Sequence, residues 1–224
     1  MFTHKTFQFL EQLSQNNNRP WFNENKAAYE VHARTPALEF IEEIAPQIKQ
    51  LSPHFKAIAK NTGGSLMRIY RDTRFAKDKT PYKTNISLHF RHEASKDAHA
   101  PCFYLNISPT SCYVAAGIWR PSGQSLSKIR EMISDNPVSW QNTLSAPAFK
   151  RALTLSTSAL KTYPRGYAKD HPLIHDLKRT EFIASHSITK EQAISPELGK
   201  LAIKQFKTAR SFVDYLCIAL DLPF

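Results

Sequence analysis

Three alternating runs in the middle of the chain limit its fold more than any other feature. Over residues 84–91, 102–107 and 113–119, apolar side chains alternate with polar or small ones, which is the two-residue period of a β-strand. Because these runs are consecutive and joined by short links, they predict an antiparallel meander. Two shorter strands are also predicted, Leu66–Tyr70 and Glu181–Ile188, with the second at the edge of the sheet.

The alternation gives the predicted sheet two different faces. The apolar face, which we expect helices to cover, carries Ile86, Leu88, Phe90, Phe103, Leu105 and Ile107. The opposite face carries Asn85, Ser87, His89, Tyr104 and Asn106, together with Tyr113 and Trp119 if the third strand is regular. A face that only meets solvent would carry Lys, Glu and Thr. Neutral hydrogen-bonding groups mixed with aromatic rings are instead typical of a ligand pocket.

The segments on either side of the meander carry helical patterns. Pro20 opens a helix, and the Thr-Pro pair at 35–36 repeats that start signal. In the C-terminal half, Pro137 and the Ser-Pro-Glu run at 195–197 begin helices. Helices followed by strands and again by helices predict the α+β class rather than alternating βαβ units.

We expect the 224 residues to form a single domain, because the chain has no low-complexity linker and is long enough to bury a core. In this domain, residues 1–52 are helical, residues 54–119 are rich in β-structure and residues 122–224 are mostly helical. The prediction is therefore a central antiparallel β-meander covered by N- and C-terminal helices.

The positive charge of the chain is unevenly distributed. The net charge is +11, and the excess lies in residues 68–83, with six basic and two acidic groups, and in residues 150–210, with twelve basic and five acidic groups. This asymmetry favours an anionic partner, either nucleic acid or a phosphorylated or carboxylated small molecule such as a nucleotide. For the longer stretch, a solvated basic surface is the plainer interpretation.

The charged segment, residues 68–83, is predicted to be a polar loop between two strands. Arginine forks bind planar oxyanions and lysine adds a point charge, so loops of this kind are common binding sites. The candidate ligand-binding residues are Arg68, Arg71, Arg74, Lys79, Tyr82 and Lys83, with Arg165 and His171 as lids from the C-terminal half. The candidates for a catalytic role are Asp72, Asp78 and Lys79. Nearby cations would keep both aspartates ionised, which suits a base or a ligand better than a general acid.

Several functions are compatible with these residues. The leading hypothesis is a basic pocket that binds an anionic nucleotide or metabolite, with or without hydrolytic chemistry. The alternatives are a nucleic-acid-binding module that uses the charged segment and the basic C-terminal half, and an interaction domain without a small ligand. An arginine–aspartate network that only fixes the loop would give the same local sequence.

The charged segment also resembles a known family. It reads Arg-x-x-Arg-Asp-x-Arg-Phe from Arg68 and Asp-Lys-x-Pro-Tyr-Lys from Asp78, which is similar to the signature of domain of unknown function 2461. The resemblance extends to Trp21-Phe22, Lys26, Tyr29, Pro164-Arg165-Gly166-Tyr167 and Asp170-His171-Pro172. It implies a bacterial single-domain protein of about this length with a shared site, and it supplies no activity.

Other familiar chemistries lack their sequence signals. His171 and His175 have a spacing that metals use, but no cysteine lies beside them and there is no His-Glu-x-x-His, so we predict neither a metal nor a cofactor. The three cysteines, the lack of an apolar N-terminal segment and the lack of an 18-residue apolar run predict a cytoplasmic protein without a membrane span. The sequence carries no signal for an oligomeric state.

Overall fold

The computed structural model describes residues 1–94 and 99–224 of the chain. The first helices are α1 (His4–Gln15), α2 (Arg19–Glu24), α3 (Lys26–Tyr29) and α4 (Thr35–Leu51). The strands are β1 (Ile86–Arg91), β2 (Cys102–Ile107), β3 (Cys112–Ile118), β4 (Thr154–Leu155) and β5 (Phe182–Ile188). The later helices are α5 (Gly123–Asp135), α6 (Pro137–Ser145), α7 (Pro147–Ala152), α8 (Ile174–Leu177), α9 (Lys190–Ile194), α10 (Leu198–Thr208) and α11 (Arg210–Ala219). The predicted α+β class is confirmed.

The described residues form one five-stranded antiparallel sheet in the order β1-β2-β3-β5-β4. The predicted meander of β1, β2 and β3 is confirmed, with Ser87 opposite Asn106 and Tyr104 opposite Ala115. The predicted edge position of Glu181–Ile188 is wrong, because β4 pairs with the outer side of β5. A two-residue strand such as β4 is too short to give an alternating pattern in the sequence.

The predicted strand Leu66–Tyr70 is not a continuous strand. The segment makes two isolated antiparallel bridges, one between Leu66 and Leu88 and the other between Tyr70 and Tyr82. It pairs with β1 at its first end and with the residues before β1 at its other end, so no unbroken ladder forms. Backbone pairing at the Tyr70–Tyr82 bridge therefore holds the two ends of the charged segment together.

The Thr-Pro pair at 35–36 begins α4, as predicted, but no break separates α4 from the helical turns before it. The chain is helical from Lys26 to Leu51, and a π-helical segment, Glu30–Arg34, joins α3 to α4. Pro36 has no N–H to donate to the preceding turn, and a wider π-helical turn directly before it accommodates that loss. The helix also continues through Pro46.

Helices cover the apolar face of the sheet, as predicted. Phe90 and Phe103 are fully buried, and the ring of Phe206 in α10 lies 6.1 Å and 5.0 Å from theirs. Burying side chains of this size stabilises the fold by roughly 1.5–3 kcal/mol each. Because the helices occupy this face, the polar face remains for other contacts. No helix of the described ranges has the length and apolar character to cross a membrane.

Gly117 in β3 occupies a position that suits only glycine. Its φ of +126° is rare for other residues, and an added Cβ would overlap the backbone oxygen of Phe182 in β5. We expect Gly117→Ala to lower the free energy of unfolding by about 3 kcal/mol or more, because relieving the overlap would separate two paired strands. Urea unfolding followed by circular dichroism measures the change.

Gly123, at the start of α5, provides the matched control. A Cβ added there would have no neighbour within 4 Å, so Gly123→Ala should change the free energy of unfolding by less than about 1 kcal/mol. Equal destabilisation by the two substitutions would contradict this account of Gly117.

Candidate ligand-binding site

Backbone pairing places two cations of the charged segment on the same side. The N–H of Arg71 donates to the carbonyl of Pro81 at 2.9 Å, and the N–H of Lys83 donates to the carbonyl of Ile69 at 2.7 Å. These bonds flank the bridge between Tyr70 and Tyr82. Since side chains alternate along extended backbone, Arg71 and Lys83 lie on the side opposite to the two tyrosines.

Tyr82 anchors the charged segment to the N-terminal helices. Its buried ring stacks on Phe22 with centroids 4.0 Å apart. The side-chain amide of Asn17 donates to the carbonyl of Tyr82 at 2.9 Å and accepts from its N–H at 3.0 Å. Tyr82 therefore fixes the position of the segment, and burial raises the pKa of its phenol.

Two arginine–aspartate pairs lie within the segment. Nη1 of Arg71 donates to Asp78 at 2.6 Å and to Thr80, while the guanidinium of Arg74 donates to Asp72 at 2.7 Å. These pairs are separate, so Arg71 and Arg74 do not share a carboxylate. Hydrogen bonds from Arg74 lower the pKa of Asp72 to about 2. Hydrogen bonds from the backbone of Thr80 and from Arg71 lower the pKa of Asp78 to about 2. Both carboxylates are ionised at neutral pH.

Other candidates from the charged segment stabilise the loop or face solvent. Nζ of Lys79 donates to the carbonyls of Thr73 at 2.9 Å and Arg74 at 3.4 Å, which closes the loop on itself. Arg68 is exposed. Its charge contributes to lowering the pKa values of Asp72 and Lys83. None of Arg68, Arg74 and Lys79 lines the main cavity on the polar face.

This cavity, of about 600 Å³, lies between the polar face of the sheet and the charged segment. Arg71, Asp72 and Lys83 form one wall. The other lining residues are Met67, Asn85, Ser87, His89, Cys102, Tyr104, Tyr113, Ala115, Ala116, Trp119 and Ile183. The charged segment and the polar face thus meet around one concave space.

Hydrogen bonds hold the floor of the cavity in one arrangement. The hydroxyl of Tyr104 and the amide of Asn85 both donate to Oγ of Ser87 at 2.7 Å. The same Asn85 amide donates to Oδ1 of Asn106 at 2.6 Å, and Asn106 donates to the carbonyl of Ser111 at 2.8 Å. Burial raises the pKa of Tyr104, so its hydroxyl stays protonated. The groups of this network are therefore neutral and held in place by one another.

The cations of the wall are not fully paired. Lys83 is half-buried, and no carboxylate of the described residues forms an ion pair with it. Burial lowers its pKa, and the charge of Arg68 lowers it further. Arg71 uses only Nη1 in its contacts with Asp78 and Thr80, so its Nε and Nη2 groups have no acceptor within the described ranges. The wall therefore offers several N–H donors with positive charge.

Trp119 forms an aromatic surface at the rim of the cavity. Its side chain is 44% exposed. The guanidinium of Arg120 lies 4.9 Å from the indole ring, and the ring of His99 stacks on the indole at 5.4 Å. These contacts orient the indole, which remains partly exposed at the rim.

A family model described as "Conserved hypothetical protein (DUF2461)" matches residues 5–215. The chain belongs to this family. The resemblance of the charged segment and of Trp21-Phe22 is thereby confirmed, and the stacking of Phe22 on Tyr82 joins those two parts of the DUF2461 sequence pattern in space. No curated protein matches the chain.

The C-terminal part of the DUF2461 pattern lies away from the cavity. His171 contacts Ser134 at 3.3 Å and accepts from the N–H of Leu173 at 3.1 Å, while Arg165 is exposed. Neither Arg165 nor His171 lines the cavity, so the expected lids are not placed over it. In the described part of the chain, no three His, Cys, Asp or Glu side chains are arranged to hold a metal ion.

Sequence reasoning missed some of the lining residues. Cys102 could have been found, because it alternates with Tyr104 and Asn106 and so belongs to the polar face. Ile183 had no such signal, since its place opposite Gly117 depends on the register between β5 and β3. Met67 joins the cavity because the segment before the charged loop pairs with β1.

The cysteines provide a test of how closed the floor is. Cys102, Cys112 and Cys217 are all buried, and burial raises the pKa of Cys102 and of Cys217 to about 12. We expect native protein at about pH 8 to react only slowly with a disulfide reagent such as Ellman's, because thiolate is the reactive form. Protein unfolded in guanidinium should expose all three thiols. Rapid labelling of Cys102 in the native protein would show that the floor is open to solvent.

Proposed function

We propose that this protein binds a small anionic molecule, bearing a phosphate or a carboxylate, in the cavity between the charged segment and the polar face of the sheet. The observation that carries the proposal is the half-buried ammonium of Lys83, which has no carboxylate partner in the described chain and lines the same cavity as Arg71, whose Nε and Nη2 groups have no acceptor there. A cation in such a place is costly unless an anion compensates it. A bound oxyanion would supply that compensation.

Arg71 is suited to hold such an anion. The contacts of its Nη1 with Asp78 and Thr80 fix the guanidinium before a ligand binds. A fixed guanidinium loses little conformational entropy on binding, and its planar fork matches an oxyanion. Lys83 would add a mobile point charge on the same side of the segment.

The rest of the cavity favours a ligand that also carries a flat, polar group. The floor offers the side chains of Asn85, Ser87 and Tyr104, and the rim offers the exposed indole of Trp119. A phosphate near Lys83 with a ring on Trp119 describes a nucleotide or a ring-bearing phosphorylated metabolite. Aromatic stacking and a few polar contacts are the usual means of orienting ligands of this kind.

The properties of Asp72, the carboxylate that lines the main cavity, fit a role in ligand binding better than a role in hydrolysis. Asp72 is bonded to Arg74 and has a pKa of about 2. So acidic a carboxylate is a weak general base at neutral pH. We therefore assign Asp72 to accepting a hydrogen bond from a ligand hydroxyl or amino group.

A small molecule is also favoured over nucleic acid. Three cations of the basic stretch 150–210 are already paired, Arg179 with Asp176, Lys190 with Glu11 and Lys200 with Glu197. These pairs reduce the charge available to a phosphate backbone. In the charged segment, Lys83 and the partly paired Arg71 border a concave space suited to a small molecule.

The proposal is tested by removing the charge of Lys83. We expect calorimetry with a panel of nucleoside monophosphates, sugar phosphates and carboxylates to identify a binder, and Lys83→Gln to weaken that binding by about tenfold or more, as loss of a charge-assisted hydrogen bond does. Lys77→Gln is the matched control, because Lys77 is an exposed lysine of the same segment that does not line the cavity.

Equal weakening by the two lysine substitutions would indicate a general charge effect and contradict the proposal. The absence of any binder in the panel would do so as well. Binding of DNA or RNA whose affinity falls log-linearly with salt would favour the nucleic-acid alternative.

The role of Trp119 gives a separate prediction. We expect Trp119→Leu to weaken binding of a nucleotide by about tenfold, because stacking on an aromatic side chain contributes about 1–3 kcal/mol. Binding of inorganic phosphate should stay unchanged, since it has no ring. Loss of affinity for both ligands would mean that the substitution disturbs the cavity rather than removing a stacking surface.

A further inference from the structure

A second cavity lies against the same two cations. Its volume is about 450 Å³, and it shares Arg71, Lys83 and Asn85 with the main cavity. Its own lining residues are Ser14, Asn17, Asp78, Thr80, Tyr82 and Thr84. Arg71 and Lys83 therefore stand at the common border of two concave spaces rather than at the closed end of one.

We infer that the anionic group held at this border lies in the middle of the ligand, as the phosphate of a phosphodiester does, and not at its end. This inference rests on the proposed function and specifies its ligand class. A phosphomonoester would place its terminal oxygens toward the second cavity and leave that space empty. A diester would direct one ester group into each cavity, with its phosphate at Arg71 and Lys83.

The carboxylates support a singly charged group at the border. Asp72 lines the main cavity and Asp78 lines the second one, and each has a pKa of about 2. Each cavity thus contains one ionised oxygen acceptor beside the shared cations. A dianionic terminal phosphate would meet repulsion from these carboxylates. A diester carries a single negative charge, and hydroxyl or amino groups on its two arms could donate to the aspartates.

The two cavities differ in the arms they would accept. Both volumes lie within the range typical of small-ligand sites. The main cavity offers Trp119 and suits a flat ring. The second offers the hydroxyl-bearing side chains of Ser14 and Thr84, and suits a polar group such as a sugar.

The experiment compares two ligands and three forms of the protein. Calorimetry measures the affinity of a nucleoside monophosphate and of a dinucleoside monophosphate, which is a diester of the same phosphate. We expect the wild-type protein to bind the diester about tenfold more tightly or better, since the second arm adds contacts. Ser14→Trp should remove this gain by filling the second cavity, and should leave binding of the monoester unchanged.

Gln12→Trp is the matched control. Gln12 is exposed on the same helix, α1, but does not line either cavity, so this variant should keep the preference for the diester. If wild-type protein binds the monoester as tightly as the diester, the inference is overturned while the proposed function stands. If neither ligand binds, nor any other anion of the panel, both fail. The wild-type comparison decides the matter even if a tryptophan variant does not fold.

Discussion

The sheet meets two different environments, and the position of every other part follows from this constraint. Its apolar face requires helices, and α10 supplies Phe206 against Phe90 and Phe103. With the helices on that side, the polar face can only meet solvent, a ligand or another segment of the chain. The charged segment lies beside that face and bounds a cavity with it. A sheet covered on both faces would have left no such space.

Structural and proposed functional roles are divided among the charges of one short segment. The bonds of Arg74 to Asp72 and of Lys79 to loop carbonyls give the loop its shape. Lys83 takes no part in this network, and Arg71 uses only part of its guanidinium there. The same family motif therefore contains residues that form the loop and residues left available to a ligand, which is why its sequence alone fitted both interpretations.

The predictions that succeeded depended on local patterns. Alternation over a few residues assigned Ser87 and Tyr104 to one face and Leu88 to the other, because the period of a strand is a property of adjacent residues. The predictions that failed depended on partners distant in the chain. To predict that β5 lies inside the sheet, one would need to know that β4 pairs with its outer side. To predict that the strand Leu66–Tyr70 is interrupted, one would need to know that it pairs with two different segments of the chain. The polar floor of the cavity was thus predictable, whereas the remote position of His171 beside Ser134 was not.

The contact between Tyr82 and the N-terminal helices has a consequence for how such a sequence can change over time. The side-chain amide of Asn17 bonds to the backbone of Tyr82 across 65 positions of the chain, and Phe22 stacks on its ring. A smaller side chain without a ring at position 22 would remove the surface that holds Tyr82. Because Lys83 is the next residue in the chain, its position would change as well. Substitutions at these separated positions should therefore be accepted together or not at all, so that the N-terminal helices and the charged segment are inherited as one unit.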